Sequence, residues 1–205
     1  MSDYFLQPED FGFDLSKIQF INTFEGLEDC FSELKNHNVV ALDSEWVQAN
    51  STCVLQIGLP DRVFLVSLSS FSQKDIRLAY PLINSLLRNP QIKKLTWDFS
   101  QDILNLSRRF KESMRIIGDV NLVYMCKEIH FDIQLNPGLS SFCQFTLGKP
   151  LDKKECRSAW RKKELSESQM IYAAMDVIVL FQLMKVAEQN EWTIPTDWKP
   201  RKRSG

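Results

Sequence analysis

The chain has 205 residues, 44% of them hydrophobic and 25% charged, with a formal net charge of −1. That balance suits one globular domain with a sizeable core and excludes a disordered, collagen-like or strongly basic chain. Five cysteines at irregular spacing argue against a disulfide framework, and two histidines, His37 and His130, without a Cys-x-x-Cys pair argue against a zinc site.

Residues 1–16 are acid-rich, lack periodicity and show no signal-peptide pattern, so they read as an arm. Ile18 to Ile21 is a short strand, and Thr23 caps a helix running to about Asn36. VVALDSEWV, Val39 to Val47, has the β-branched, continuously apolar character of a central strand. Strand side chains alternate, so Asp43 and Glu45 project from one face, ~6–7 Å apart. Two like charges on one face repel, and a divalent cation would turn that repulsion into a binding site. Solvated strand ends carry the same Asp-x-Glu pattern, so both readings stand at this point.

Strands near 53–59 and 62–68 follow, with a turn at Pro60-Asp61, and their short connections make them antiparallel neighbours of the first. A helix near 74–88 returns to a strand at 92–97. Asp98, with Gln101 three residues on, fits a capping box and reads as a helix N-cap. Asp102 falls on the first turn of that helix, either as a surface charge favoured by the dipole or as a group turned back toward Asp43. From about Asp119 onward the text is helical, broken at Asn136-Pro137-Gly138.

SQMIYAAMDVIVLFQLM, Ser168 to Met184, is apolar on almost every side at helical spacing, and Asp176 is its one charged residue. A carboxylate buried there is paired, protonated or bound to a cation. Tyr172 lies one turn earlier on the same face, so the two form either a satisfied core pair or part of a metal site. Charge is unevenly spread: residues 1–92 hold 6 Lys/Arg and 12 Asp/Glu, and residues 93–205 hold 19 and 14. Basic clusters at Lys93-Lys94, Arg108-Arg109-Lys111, Lys153-Lys154 and Arg157 through Lys163 are solvated faces or the lining of a backbone-binding groove. Trp46 and Trp97 end apolar strands and read as core ahead of base-stacking platforms. Trp160, inside RSAWRKK, reads as partly exposed and a candidate substrate contact beside Arg161, Lys162 and Lys163.

Asp-x-Glu in a strand, a later Asp opening a helix and Tyr-x-x-x-Asp in a last helix resemble the DEDDy family of 3′–5′ exonucleases. The DSEW form is similar to the Werner-type and Nibbler-type branch, with RNase D more distant. VLQIGLPDRVFLVSL and LSSFCQFTLGKPLDKKECRSAWRKKELSESQMIYAAMD extend the likeness from about Ile18 to Trp192. Two departures are a short loop between Trp46 and Leu55, and Lys163-Glu164 where an arginine-proline pair is common.

The element order alone indicates an α/β layered domain with a mixed sheet and a helical C-terminal half. The resemblance adds the expectation of a ribonuclease-H-like fold over residues 17–195, with 196–205 as a basic tail. It implies two divalent cations, Mg²⁺ or Mn²⁺: Asp43, Glu45 and Asp176 would hold one, and Asp43 with Asp102 the other. It further implies that Tyr172 orients the attacking water, with acceptance of its proton as an added role. The partner it implies is single-stranded nucleic acid, RNA ahead of DNA, in an intracellular setting (cytoplasm or nucleus) with no membrane. Three alternatives follow from the same residues: a DNA-processing exonuclease, a catalytically silent nucleic-acid-binding adaptor, and a structural domain whose buried acids pair with Lys or Arg.

Overall fold

The computed structural model describes residues 4–47, 52–129 and 138–199. In chain order the elements are β1 (Ile18–Ile21), α1 (Phe24–Leu34), β2 (Val39–Trp46), β3 (Thr52–Gly58), β4 (Val63–Ser67), α2 (Gln73–Arg88) and β5 (Lys93–Thr96). They continue with α3 (Ser100–Phe110), β6 (Asp119–Asn121), α4 (Met125–Glu128), α5 (Leu139–Leu147) and α6 (Glu167–Gln189). The strands form one mixed sheet in the order β1-β4-β3-β2-β5-β6. As expected from the short turns, β2, β3 and β4 are antiparallel neighbours, while β5 pairs parallel to β2 and β6 parallel to β5.

Alternation along β2 and β3 divides the core in two. Ala41 and Val54 pack on the face covered by α6, whereas Val40, Leu42, Leu55 and Ile57 pack on the face covered by α1, α2 and α3. A helix that is apolar all round has to be enclosed, and α6 is: Ala173 through Leu180 are all buried, and the helix touches β1 to β5 and α5. Ser166 starts it through a capping box with Gln169, which satisfies backbone N–H groups left free at the helix start.

Gly58 lets α6 come close. A Cβ at this position would lie 3.0 Å from the Val177 Cβ and 3.3 Å from the Ala41 Cβ. Gly58→Ala is expected to cost about 1–3 kcal/mol by overpacking. Urea denaturation should show a lower midpoint at unchanged slope, partly restored by adding Val177→Ala.

Two expectations are corrected. The chain is not helical from Asp119 onward: Asp119–Asn121 completes the sheet as β6, because Lys94 to Thr96 of β5 offer it an open parallel edge. Asp98 is not the N-cap of α3. It adopts a left-handed conformation (φ 51°), and Phe99 takes the cap position. Its backbone N–H donates to Asn121 Oδ1 at 3.1 Å, and its carboxylate accepts from the Ser100 hydroxyl at 2.7 Å. Asp98 therefore shapes the turn that carries the chain from β5 into α3. The break expected at Asn136-Pro137-Gly138 falls mostly outside the described residues.

Residues 196–199 return to the fold. The Asp197 carboxylate accepts from the backbone N–H groups of Gly118 and Asp119 at 2.9 and 3.2 Å, and the Trp198 ring packs edge-on against Tyr124.

Candidate active site

Three elements meet at the C-terminal end of β2. The alternation of β2 aims Asp43 and Glu45 at α6, and α6 presents Tyr172 and Asp176, one turn apart, toward them. Asp176 is 3% exposed and Glu45 8%. Gln56 is the cross-strand partner of Asp43 and is fully buried, and among the described residues its amide has no hydrogen-bond partner.

The cluster is electrostatically strained. Burial, then the charges of Asp176 and Asp102, push the Asp43 carboxyl well above the ordinary range. Burial and the neighbouring Asp43 and Asp176 push Glu45 up to about 10. Burial also raises Asp176, against the pull of the Lys153 ammonium and the Tyr172 hydroxyl. Lys153 Nζ lies 3.0 Å from Asp176 Oδ1 and 5.1 Å from the centre of the Tyr172 ring. Burial alone would lower that ammonium, but the pull of Asp176, Asp43 and Glu45 outweighs it and holds its pKa above the usual lysine value.

Asp102 approaches from the other side of the sheet. It sits on the first turn of α3, only 8% exposed, and accepts a hydrogen bond from the Ser44 hydroxyl at 2.5 Å. Ser44 is the residue between the two β2 carboxylates and points the opposite way. Asp102 thus reaches the same stretch of β2 through its reverse face, close enough for its charge to act on Asp43. Burial raises its carboxyl to about 6, with the Ser44 hydrogen bond opposing that rise.

The tryptophans exchange the places expected of them. Trp160 is not partly exposed but 1% accessible, packed in the core with its ring 5.8 Å from that of Tyr172. It buttresses the tyrosine from behind, so a direct substrate contact is ruled out. Trp46 is not core: it is 41% exposed at the end of β2, and its side chain hydrogen-bonds Asp102. A register shift between Glu45 and Trp46 accompanies this outward turn. Trp97 is half-buried against Phe142, as its strand-end position suggested. Arg161, Lys162 and Lys163 are all exposed on the loop that precedes α6. Asp119 is buried, accepts from the Thr96 hydroxyl at 2.6 Å and serves the β5–β6 edge.

Three neighbours of the carboxylates escaped the reading of the sequence. Ser44 could have been found from its position inside Asp-x-Glu. Gln56 is a polar residue in an otherwise apolar strand, which is a signal of its own. Lys153 gave only its membership of a basic pair.

Four acids around one strand end, with no soft ligand among them, are a donor set for a hard divalent cation. Burial raises all four carboxyls, and the neighbouring carboxylates add to the rise at Asp43 and Glu45, so added positive charge would be favoured there and the residues fit such an ion. Among the described residues no three acidic, histidine or cysteine side chains are already drawn into a metal cage.

A six-stranded mixed sheet with carboxylates delivered by β2, α3 and α6 defines a ribonuclease-H-like exonuclease domain. The sequence agrees: the chain belongs to a family of 3′–5′ exonucleases, a group of hydrolases, with residues 18–188 matching the family pattern. It is similar to ribonuclease D of Serratia proteamaculans, 28% identical over 179 residues that make up 85% of this chain and 46% of the relative. The chain therefore spans about half the length of the ribonuclease D relatives it matches. Among solved structures, the Nibbler EXO domain of Aedes aegypti superposes with a TM-score of 0.73 at 19% identity, covering 87% of this chain and 90% of that one. Brucella melitensis NrnC with bound Mg²⁺ superposes with a TM-score of 0.58 at 25% identity, covering 76% and 75%.

Proposed function

We propose that this chain is a divalent-metal-dependent 3′–5′ exonuclease that releases nucleoside 5′-monophosphates from single-stranded nucleic acid, with RNA preferred to DNA. The observation that carries this reading is the convergence of Asp43, Glu45, Asp102 and Asp176 at one strand end, Asp43 half-buried and the other three buried, with Lys153 as the one ammonium paired to the cluster among the described residues. Two ions are assigned, Mg²⁺ or Mn²⁺. Asp43, Glu45 and Asp176 would hold the first, and Asp43 with Asp102 the second. Bound there, the ions supply positive charge to an attacking water and to the departing 3′ oxygen. Tyr172, its ring braced by Trp160, would hold that water by its hydroxyl. In the metal-free chain, burial and then the Asp176 charge raise the pKa of that hydroxyl further above the usual tyrosine value.

RNA is placed first because the relative from Serratia proteamaculans is named a ribonuclease, and Brucella NrnC with bound Mg²⁺ supports the choice of ion. Matched RNA and DNA oligonucleotides, with free or blocked 3′ ends, decide the point. RNA with a free 3′ end should be shortened stepwise in Mg²⁺ or Mn²⁺ and left intact in EDTA. Faster loss of DNA would move the assignment to DNA processing, and no loss of either would leave a binding module.

The substrate backbone would lie along the exposed Arg161, Lys162 and Lys163. Replacing all three with glutamine should weaken single-strand binding by a similar factor for every base sequence. The slope of log affinity against log salt should shrink by roughly 0.7 for each phosphate that is no longer neutralised. Equal slopes for variant and parent would move the groove to Lys93, Arg108 and Arg109; Lys94 of the same basic cluster is buried, its ammonium donating to the Asn89 and Ile117 carbonyls.

A further inference from the structure

We propose that Lys153 is the resident counter-ion of the carboxylate cluster, and that a divalent cation enters by displacing its ammonium from Asp176. The inference rests on the metal-dependent reading above and adds how the site is loaded.

The ammonium stands 3.0 Å from Asp176 Oδ1, on a carboxylate that is 3% exposed. Its charge also reaches Asp43 and Glu45, so one cation serves three of the four proposed ligands. A surface ion pair would have no such reach. The pair is also lopsided: Asp176 is locked into the middle of α6, while the Lys153 side chain is 41% exposed and springs from an irregular stretch ahead of a turn at Lys154. Asp176 cannot leave, and Lys153 can. The Tyr172 ring, 5.1 Å from Nζ, gives the ammonium a second contact on the same side of the site.

An ammonium and a dication on one buried carboxylate repel each other strongly, since little water intervenes. Occupancy by the ion therefore requires the lysine to withdraw. In the absence of metal, Lys153 supplies part of the charge that keeps the buried acids tolerable. Its cost is paid in affinity: if the site is free of the lysine one-tenth of the time, the apparent dissociation constant rises about tenfold. Lys153 is thus a positioning residue for the metal-free site and a competitor for the metal.

The test is calorimetric titration of Mn²⁺ into the parent, Lys153→Met and Lys153→Arg, with thermal unfolding of each in EDTA. Lys153→Met should bind Mn²⁺ about tenfold more tightly. It should unfold at a lower temperature than the parent in EDTA, and gain more from saturating Mn²⁺. Lys153→Arg keeps the cation and should follow the parent in both measurements. Methionine preserves the apolar stem of a partly exposed side chain, so the variant should still fold and its lower unfolding temperature reports the lost charge. Equal or weaker Mn²⁺ binding by Lys153→Met, with the parent binding normally, overturns the exchange and leaves the metal reading in place. No Mn²⁺ binding by the parent overturns both.

Discussion

Asp43→Asn should abolish most nuclease activity, by at least about 3 kcal/mol of transition-state stabilisation, which is roughly a hundredfold or more. The size follows from its position. Asp43 is the carboxylate that would bind both ions: it feels the charges of Asp176 and Asp102, and its own charge acts on Glu45. Removing its charge takes a ligand from each ion at once. The metal-free protein should respond in the opposite direction. Burial and like charges raise the Asp43 and Glu45 carboxyls, so the fold retains protons that the unfolded chain has already released. Such groups stabilise below the ordinary carboxylate pKa of about 4, and that stability is lost as pH rises toward the folded values. For Asp102 and Glu45 those folded values are about 6 and about 10. In EDTA the parent should therefore lose thermal stability as pH rises from 5 to 8, and Asp43→Asn should show a shallower loss. Near-parental turnover by this variant would remove Asp43 from the site.

Tyr172→Phe is expected to slow hydrolysis by roughly 10²-fold, in the range of a group that positions or transfers a proton. Phenylalanine keeps the ring against Trp160 and beneath Lys153, and loses only the hydroxyl that bonds Asp176. Mn²⁺ affinity and thermal stability should stay close to those of the parent, so the effect separates from misfolding and from loss of metal. Single-turnover kinetics at saturating Mn²⁺ provide the measurement. Unchanged rates would make Tyr172 a core residue and shift the handling of water elsewhere. Trp160→Phe gives a companion value: loosening the support behind Tyr172 should produce a smaller fall in rate of the same kind.

Local periodicity already carried much of this protein. The alternation in VVALDSEWV put Asp43 and Glu45 on one face, and the apolar run through α6 put Tyr172 one turn before a buried Asp176. These relations hold within a single element, where a spacing of two or four residues fixes direction without reference to the rest of the chain. The order of strands and helices likewise indicated a mixed sheet with helices around it.

Contacts between elements were a different matter. Asp102 left two readings open, and only the packing of α3 beneath β2 brought it to Ser44 rather than to solvent. Trp46 and Trp160 could not be sorted by their neighbours in sequence, because exposure depends on what the fold lays over each ring. β6 is three residues long, too short for a periodic signal, and exists because the edge of β5 was open to it. Lys153 lies 23 residues from Asp176, and an irregular segment gives no direction to its side chain. The sequence alone determined the pairings within one element, Asp43 with Glu45 and Tyr172 with Asp176. The tertiary structure decided which groups those acids touch, Lys153 at Asp176 and Ser44 at Asp102, since such pairing is made across space by segments with no local pattern of their own.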